Sequence, residues 1–406
     1  MNEQLKAKVN AAEDALRKAL KRLPADDPQL VDRINELAGL YLSAGQRAEA
    51  RDLYIKAMEI RKKTFGPESL EVAASLNNIA VVYSQQGRYF DSIPLYEKSL
   101  AIREKSLGPE HPEVANILSN LGSVYKILAD NGRAEPLLFR SLAICLRSTQ
   151  PGDIMLARVY TNLAGFCTQA GRLPEAEAYG RKALELTRIK FGERHLRYAM
   201  ALNNLAEICH GQGRADEAER LYRQAIAIRR QQAGPEHPDI ALSLNGLGEL
   251  FMSQHKYVEA EAVYQQAAAI CEKTLEPGHP TLGATRHNMA ALHFIQGHYR
   301  KSEELYRSAI GILEAALGAR HPDAAESYAR LGELFFTEGR NAEAEKHYMK
   351  ARSIWERTLG PDHPKVEETL RNLSKVCFAL MKFPEAEEYL KRAMAVSAGR
   401  GRGREN

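Results

Sequence analysis

Apolar residues recur along this chain with the spacing of paired amphipathic helices. In residues 71–112 the first half places Leu76, Ile79, Ala80 and Tyr83 at i, i+3, i+4 and i+7. The second half carries a matching stripe, Ile93, Tyr96, Leu100 and Ile102. Gly87 separates the two as a C′ glycine after the first helix, and Gly108-Pro109 stops the second. Pro112 stands where the next helix starts, a position that tolerates a missing N–H. The stretch predicts a helical hairpin, helix A followed by helix B.

The hairpin repeats every 42 residues, nine times, without insertion or deletion. Gly45, Gly87, Gly171, Gly213, Gly297 and Gly339 mark the register, and Ala129, His255 and Met381 take the glycine's place in the other units. Positions 38, 50 and 57, and each position 42 residues further on, are Ala, Gly or Ser in all nine units. Each column marks a place where helices approach too closely for a larger side chain, and overpacking one costs about 1–3 kcal/mol. The prediction is an all-α solenoid of stacked helical hairpins, read as one elongated body. Residues 1–27 form an N-terminal capping helix, 28–396 the nine repeats, and 397–406 a disordered tail. The third unit, with Ala129 and the following QPGDI loop, is expected to be locally irregular and no domain boundary.

Composition narrows the function classes. A net charge of +4 on 406 residues gives no reason to expect nucleic acid or an acidic membrane surface as partner. No apolar run reaches the ~20 residues that span a bilayer, and the charged N-terminus does not read as a secretory signal. Five cysteines without a CxxC pair suit a reducing cytoplasm. Cys167, Cys209 and Cys377 replace tyrosines of helix A and are expected in the core.

Candidate chemistry is sparse. His111, His195, His237, His279, His321 and His363 share one repeat position. Equivalent positions on stacked helices lie at least ~8–10 Å apart, too far for a shared metal. The column is expected to shape the start of helix A. Tyr54, Tyr96, Tyr222, Tyr264, Tyr306 and Tyr348 recur on helix B and are expected between helices, not as a base-stacking platform. No nucleophile, phosphate-loop or zinc-protease motif is present. No catalytic residue, metal or cofactor is assigned, and the chain is not expected to be an enzyme.

The pattern resembles the tetratricopeptide repeat (TPR). The 42-residue form, with LNNIA, GRY, LYEKSLAI and LGPEHP, is similar to the repeats of kinesin light chain over about residues 28–396. The resemblance implies a right-handed superhelix whose A helices line a concave wall that holds an extended peptide. Residues 2–23 are too short for the heptad coiled coil of kinesin light chain, so no motor role is assigned.

On that wall one column reads Asn78, Asn120, Asn162, Asn204, Asn288 and Asn372, with Asn77, Asn203 and Asn245 beside it. Glu36, Gly246 and Arg330 depart from the column. An amide offers a donor and an acceptor to a peptide main chain, but it also suits bracing of neighbouring helices. Glu207, Glu249 and Glu333 form a second column, with Glu326 and Glu368 nearby. Met252, Phe294, Phe336 and Phe378 form a third. Together they suggest an acidic C-terminal half with apolar pockets, which favours basic and aromatic or aliphatic ligand residues. Lys126 and Arg158 make the N-terminal half less acidic. The alternatives are solvated glutamates and phenylalanines packed under the A–B turn.

The expected function is a non-catalytic cytoplasmic adaptor that binds a protein or peptide in the concave groove, with no nucleic acid and no membrane. The alternative is a regulatory receptor whose superhelix responds to a small signalling peptide or metabolite. A monomer is expected, with end-to-end association through residues 383–396 left open.

Overall fold

The computed structural model describes residues 3–24, 26–44, 46–148, 154–275 and 278–402. Its regular elements there are nineteen α-helices and one short 3₁₀ turn, Pro28–Leu30. The chain divides into two compact units, residues 1–126 with 133–190, and 127–132 with 191–406. The first unit ends at residue 190, and the turn of the irregular third repeat, residues 127–132, is grouped with the second unit.

The first unit holds α1 (Glu3–Leu20), α2 (Val31–Ser43), α3 (Arg47–Phe65), α4 (Leu70–Gln85), α5 (Tyr89–Leu107), α6 (Pro112–Ile127), α7 (Asn131–Ser148), α8 (Ile154–Gln169) and α9 (Leu173–Phe191). Helix α1 lays Val9, Leu16 and Ala19 on Leu30, Ile34 and Leu37 of the first hairpin. Tyr41 Oη donates to Glu13 Oε1 at 2.6 Å across the same contact.

The second unit holds α10 (Leu196–Gly211), α11 (Ala215–Ala233), α12 (Pro238–Ser253), α13 (Tyr257–Thr274), α14 (Pro280–Ile295), α15 (Tyr299–Leu317), α16 (Pro322–Thr337), α17 (Asn341–Thr358), α18 (Pro364–Ala379) and α19 (Phe383–Arg402). Within it each A helix packs on its own B helix and touches the next A helix, α10 on α12 and α12 on α14. Helix α19 continues to Arg402, past the end expected near Val396. Two glycines there each cost only about 1 kcal/mol, and no proline enforces a stop. Residues 403–406 lie outside the described residues.

The small-residue columns are buried where helices meet. Ala50, Ala134, Ala176, Ala218, Ala260 and Ala344 are wholly buried, as are Ala57, Ala225, Ala267, Ala309 and Ala351. Where serine replaces alanine, the short distance lets it bond a neighbouring backbone. Ser99 Oγ and Ser141 Oγ donate to Ala73 O and Ala115 O, each at 2.7 Å. A Cβ on Gly248 would lie 2.3 Å from Cε1 of Tyr264, so the tyrosine ring occupies the space the glycine leaves.

Helix ends follow two local devices. Ala129, His255 and Met381 adopt φ of 56°, 59° and 60°, so the A–B turn keeps its left-handed residue without glycine. Gly45 lies outside the described residues. At the start of helix A, the histidine column caps the helix. Nδ1 of His195 accepts from Arg197 N at 3.0 Å, and His111, His237, His279, His321 and His363 accept in the same way. Asp27 and Ser69 do this at the same register. The six histidines are therefore helix caps. All five cysteines are buried thiols.

These contacts set two opposite expectations. Gly248→Ala should lower stability by about 1–3 kcal/mol, because the Tyr264 ring must move. Met381→Gly should raise it by about 0.5–1 kcal/mol, because a left-handed non-glycine residue is relieved. Urea unfolding followed by far-ultraviolet circular dichroism reads both.

Candidate functional site

The residues of helix A that face away from the hairpin core carry a ladder of amides. In the first unit Asn120 Nδ2 donates to Asn77 Oδ1 at 3.1 Å, tying α6 to α4, and Asn77 Nδ2 reaches Asn78 Oδ1 at 3.4 Å. Asn162 Nδ2 donates to Ser119 Oγ at 2.8 Å, tying α8 to α6. Gln169 Nε2 adds a bond to Lys126 O at 2.9 Å. Arg158 Nη2 donates to Asn116 Oδ1 at 2.5 Å in the same pair of helices. Burial holds the Lys126 ammonium below its usual range.

The second unit separates bracing amides from free ones. Buried Arg229 donates to Ser243 Oγ, which donates to Asn203 Oδ1 at 2.7 Å. Asn203 Nδ2 then donates to Glu207 Oε1 at 2.8 Å. Asn245 is also buried and donates to Thr285 Oγ1 at 3.0 Å. Asn203 and Asn245 are thus braces between helices. Asn288 Nδ2 reaches back to Glu249 Oε1 at 2.9 Å, and Asn372 Oδ1 accepts from Lys375 at 3.4 Å. Asn204 is only half-buried and has no hydrogen-bonded partner for its amide among the described residues.

The glutamate column divides likewise. Glu333 pairs with Arg330 at 2.9 Å, and Glu326 pairs with Lys365 and, at 3.4 Å, with Arg330. Glu207 and Glu249 have no ion-pair partner among the described residues. Phe294 and Phe336 are half-buried against the core cluster of the second unit, and Phe294 meets Tyr299 at 5.8 Å between ring centroids. Phe378 is 66% exposed and meets Phe383 at 5.5 Å. An open cleft of about 780 Å³ runs between Phe336, Phe378 and Leu390, with Arg371 and Lys375 on its rim. The apolar pocket at that end is therefore edged by cations, where the sequence suggests acidic surroundings.

Sequence comparison fixes the family. The tetratricopeptide repeat profile matches residues 31–89, 71–147, 155–231, 239–315, 289–344 and 323–398, most of the chain. The chain belongs to the tetratricopeptide repeat (TPR) family. No curated protein matches it in sequence. Among solved structures it is similar to the nearly identical TPR-like repeats of a Podosopora anserina protein described as a kinesin light chain. That match has 27% identity and a TM-score of 0.44, and covers 52% of this chain and 98% of the other. It is also similar to BtubC (BKLC) from P. vanneervenii, at 20% identity and a TM-score of 0.47, over 57% and 90% of the two chains. A Rap protein complexed with Competence and Sporulation Factor matches over 88% of this chain and 98% of its own, at 16% identity and a TM-score of 0.53. That likeness is one of fold.

Two residues of this TPR array escape sequence reading. Gly246 reads only as a gap in the asparagine column, and Tyr222 only as a core ring. The structure brings them together: a Cβ on Gly246 would lie 2.8 Å from Tyr222 Oη. The tyrosine ring is buried, and its hydroxyl end fills the space left by the glycine. The usable signal was the coincidence of the glycine gap with a helix-B tyrosine of the preceding repeat.

Glu207 is the most perturbed acid of this face. Its side chain is reachable from solvent but crowded by protein atoms. Loss of hydration, then the Glu249 charge, push its pKa up to about 7, against a smaller lowering by the Asn203 bond. The folded state therefore holds a proton that the unfolded chain releases. The stability this contributes is complete below about pH 4.5 and is lost as pH rises through about 7. Glu207→Gln should flatten this part of the stability–pH curve. Urea midpoints at pH 5, 6 and 8 test it: an equal fall from pH 5 to pH 8 in both proteins would contradict the assignment.

Proposed function

We propose that this TPR protein is a non-catalytic interaction scaffold whose A-helix face is a groove for an extended segment of a protein or peptide partner. The observation that carries this is the amide ladder. Each amide has more than one donor and acceptor site, and the bonds to neighbouring helices use only part of that capacity. The ladder holds the face rigid, and Asn204 keeps its whole amide open. A preformed surface that offers donors and acceptors in both directions matches the main chain of an extended segment, and only the ligand loses much entropy on binding. A Rap protein of similar fold is complexed with Competence and Sporulation Factor. The five buried thiols suit a reducing compartment, consistent with a cytoplasmic scaffold.

The two kinds of asparagine give a clean test with peptides selected on the full chain from a random 12-residue display library. Asn204→Ala should weaken the selected peptides by about 0.5–1.5 kcal/mol with the unfolding midpoint unchanged. Asn203→Ala should lower stability by about 1–3 kcal/mol, because Ser243 and Glu207 lose a buried partner. Unaltered peptide binding by Asn204→Ala would return the amides to a purely bracing role.

A further inference from the structure

We infer that Asn204, Glu207, Glu249 and the Tyr222 hydroxyl form a subsite for one arginine side chain of the bound segment. The inference rests on the groove proposed above and specifies what one part of it selects. Asn204 and Gly246 stand at the same register on α10 and α12, and Glu207 and Glu249 stand one turn further along each helix. The four positions therefore make a rectangle across two adjacent A helices, ~8–10 Å apart. Three corners carry acceptors, and the fourth, Gly246, carries no side chain.

The empty corner has a polar floor. Tyr222 is 1% exposed, its hydroxyl has no hydrogen-bonded partner among the described residues, and it lies beside Gly246, 2.8 Å from where a Cβ would be. Loss of hydration, then the charges of Glu207 and Glu249, raise its pKa well above the usual phenol range, so it stays protonated beside both acids. A hydroxyl on a buried ring, without a partner and within the electrostatic reach of two acids, is open to a donor or acceptor from a ligand.

Charge accounting points the same way. Glu326 and Glu333 of this unit have arginine or lysine partners, whereas Glu207 and Glu249 have none. Each carboxylate already accepts one amide bond, from Asn203 and from Asn288, and keeps further lone pairs for a ligand. The arrangement offers acceptors on several sides and, among the described residues, no cation paired directly with either carboxylate; Arg229 reaches Glu207 only through Ser243 and Asn203. A planar guanidinium with five donors satisfies acceptors on separate sides at once, whereas an ammonium is a compact point charge.

The test uses the full chain and the selected 12-residue peptides. The expected result is an arginine at one fixed position, with about a tenfold or greater loss of affinity when it is replaced by citrulline. The Glu207→Gln/Glu249→Gln double variant should show a loss of the same size and no added loss for the citrulline peptide. Tyr222→Phe keeps the ring in place and should weaken the arginine peptide by about two- to fivefold, with helicity unchanged. Peptides that bind, lose affinity in Asn204→Ala and yet bind the double variant equally well would overturn the arginine subsite and leave the groove standing. Failure to select any peptide, or selected peptides indifferent to Asn204→Ala, would overturn the groove and the subsite with it.

Discussion

Everything in this array depends on close backbone approach at the columns of alanine, glycine and serine. With no side chain larger than serine at positions 50 and 57 of the first hairpin and their equivalents, nothing bulky holds the helices apart. That closeness allows Ser99 and Ser141 to bond backbone carbonyls of another helix. It also brings neighbouring A helices within reach of one another's amides. A larger residue in these columns would strain the hairpin and separate the polar pairs that depend on it.

The A-helix face is thus polar by design of position, with different parts doing different things. Some amides brace: Asn203 and Asn245 are buried and bonded between helices. Others are open, as at Asn204. The glutamates divide in the same way, between those neutralised by arginine or lysine and the pair at 207 and 249. Buried Arg229, joined to Glu207 through Ser243 and Asn203, gives that part of the face a fixed hydrogen-bond direction. Rigidity and open valence coexist because each amide bonds with only part of its capacity.

Much of this was legible in the sequence because the repeat turns a weak local signal into nine copies. The hairpins, the small columns, the left-handed turn at Ala129, His255 and Met381, and the capping place of the histidines all follow from register. What register cannot convey is which of two like residues turns toward a neighbour. Asn203 and Asn204 are adjacent in sequence, yet one is a buried brace and the other open, because 100° of helix rotation separates them. Paired and unpaired glutamates also look alike until the cations of the next helix are placed. The meeting of Tyr222 with Gly246 joins different repeats, and it appears only when the helices are stacked. Nor does the sequence convey the extension of α19 to Arg402, because glycine weakens a helix without ending it.

The central claim is that the A-helix face, not the B helices, receives the partner. Photocrosslinking tests it most directly, using a selected peptide that carries benzoylphenylalanine at successive positions, with adducts on the full chain mapped by mass spectrometry. The account predicts adducts on α10, α12 and α14 around Asn204, Glu249 and Asn288. Adducts confined to the solvent side of α11, α13 and α15 would contradict it.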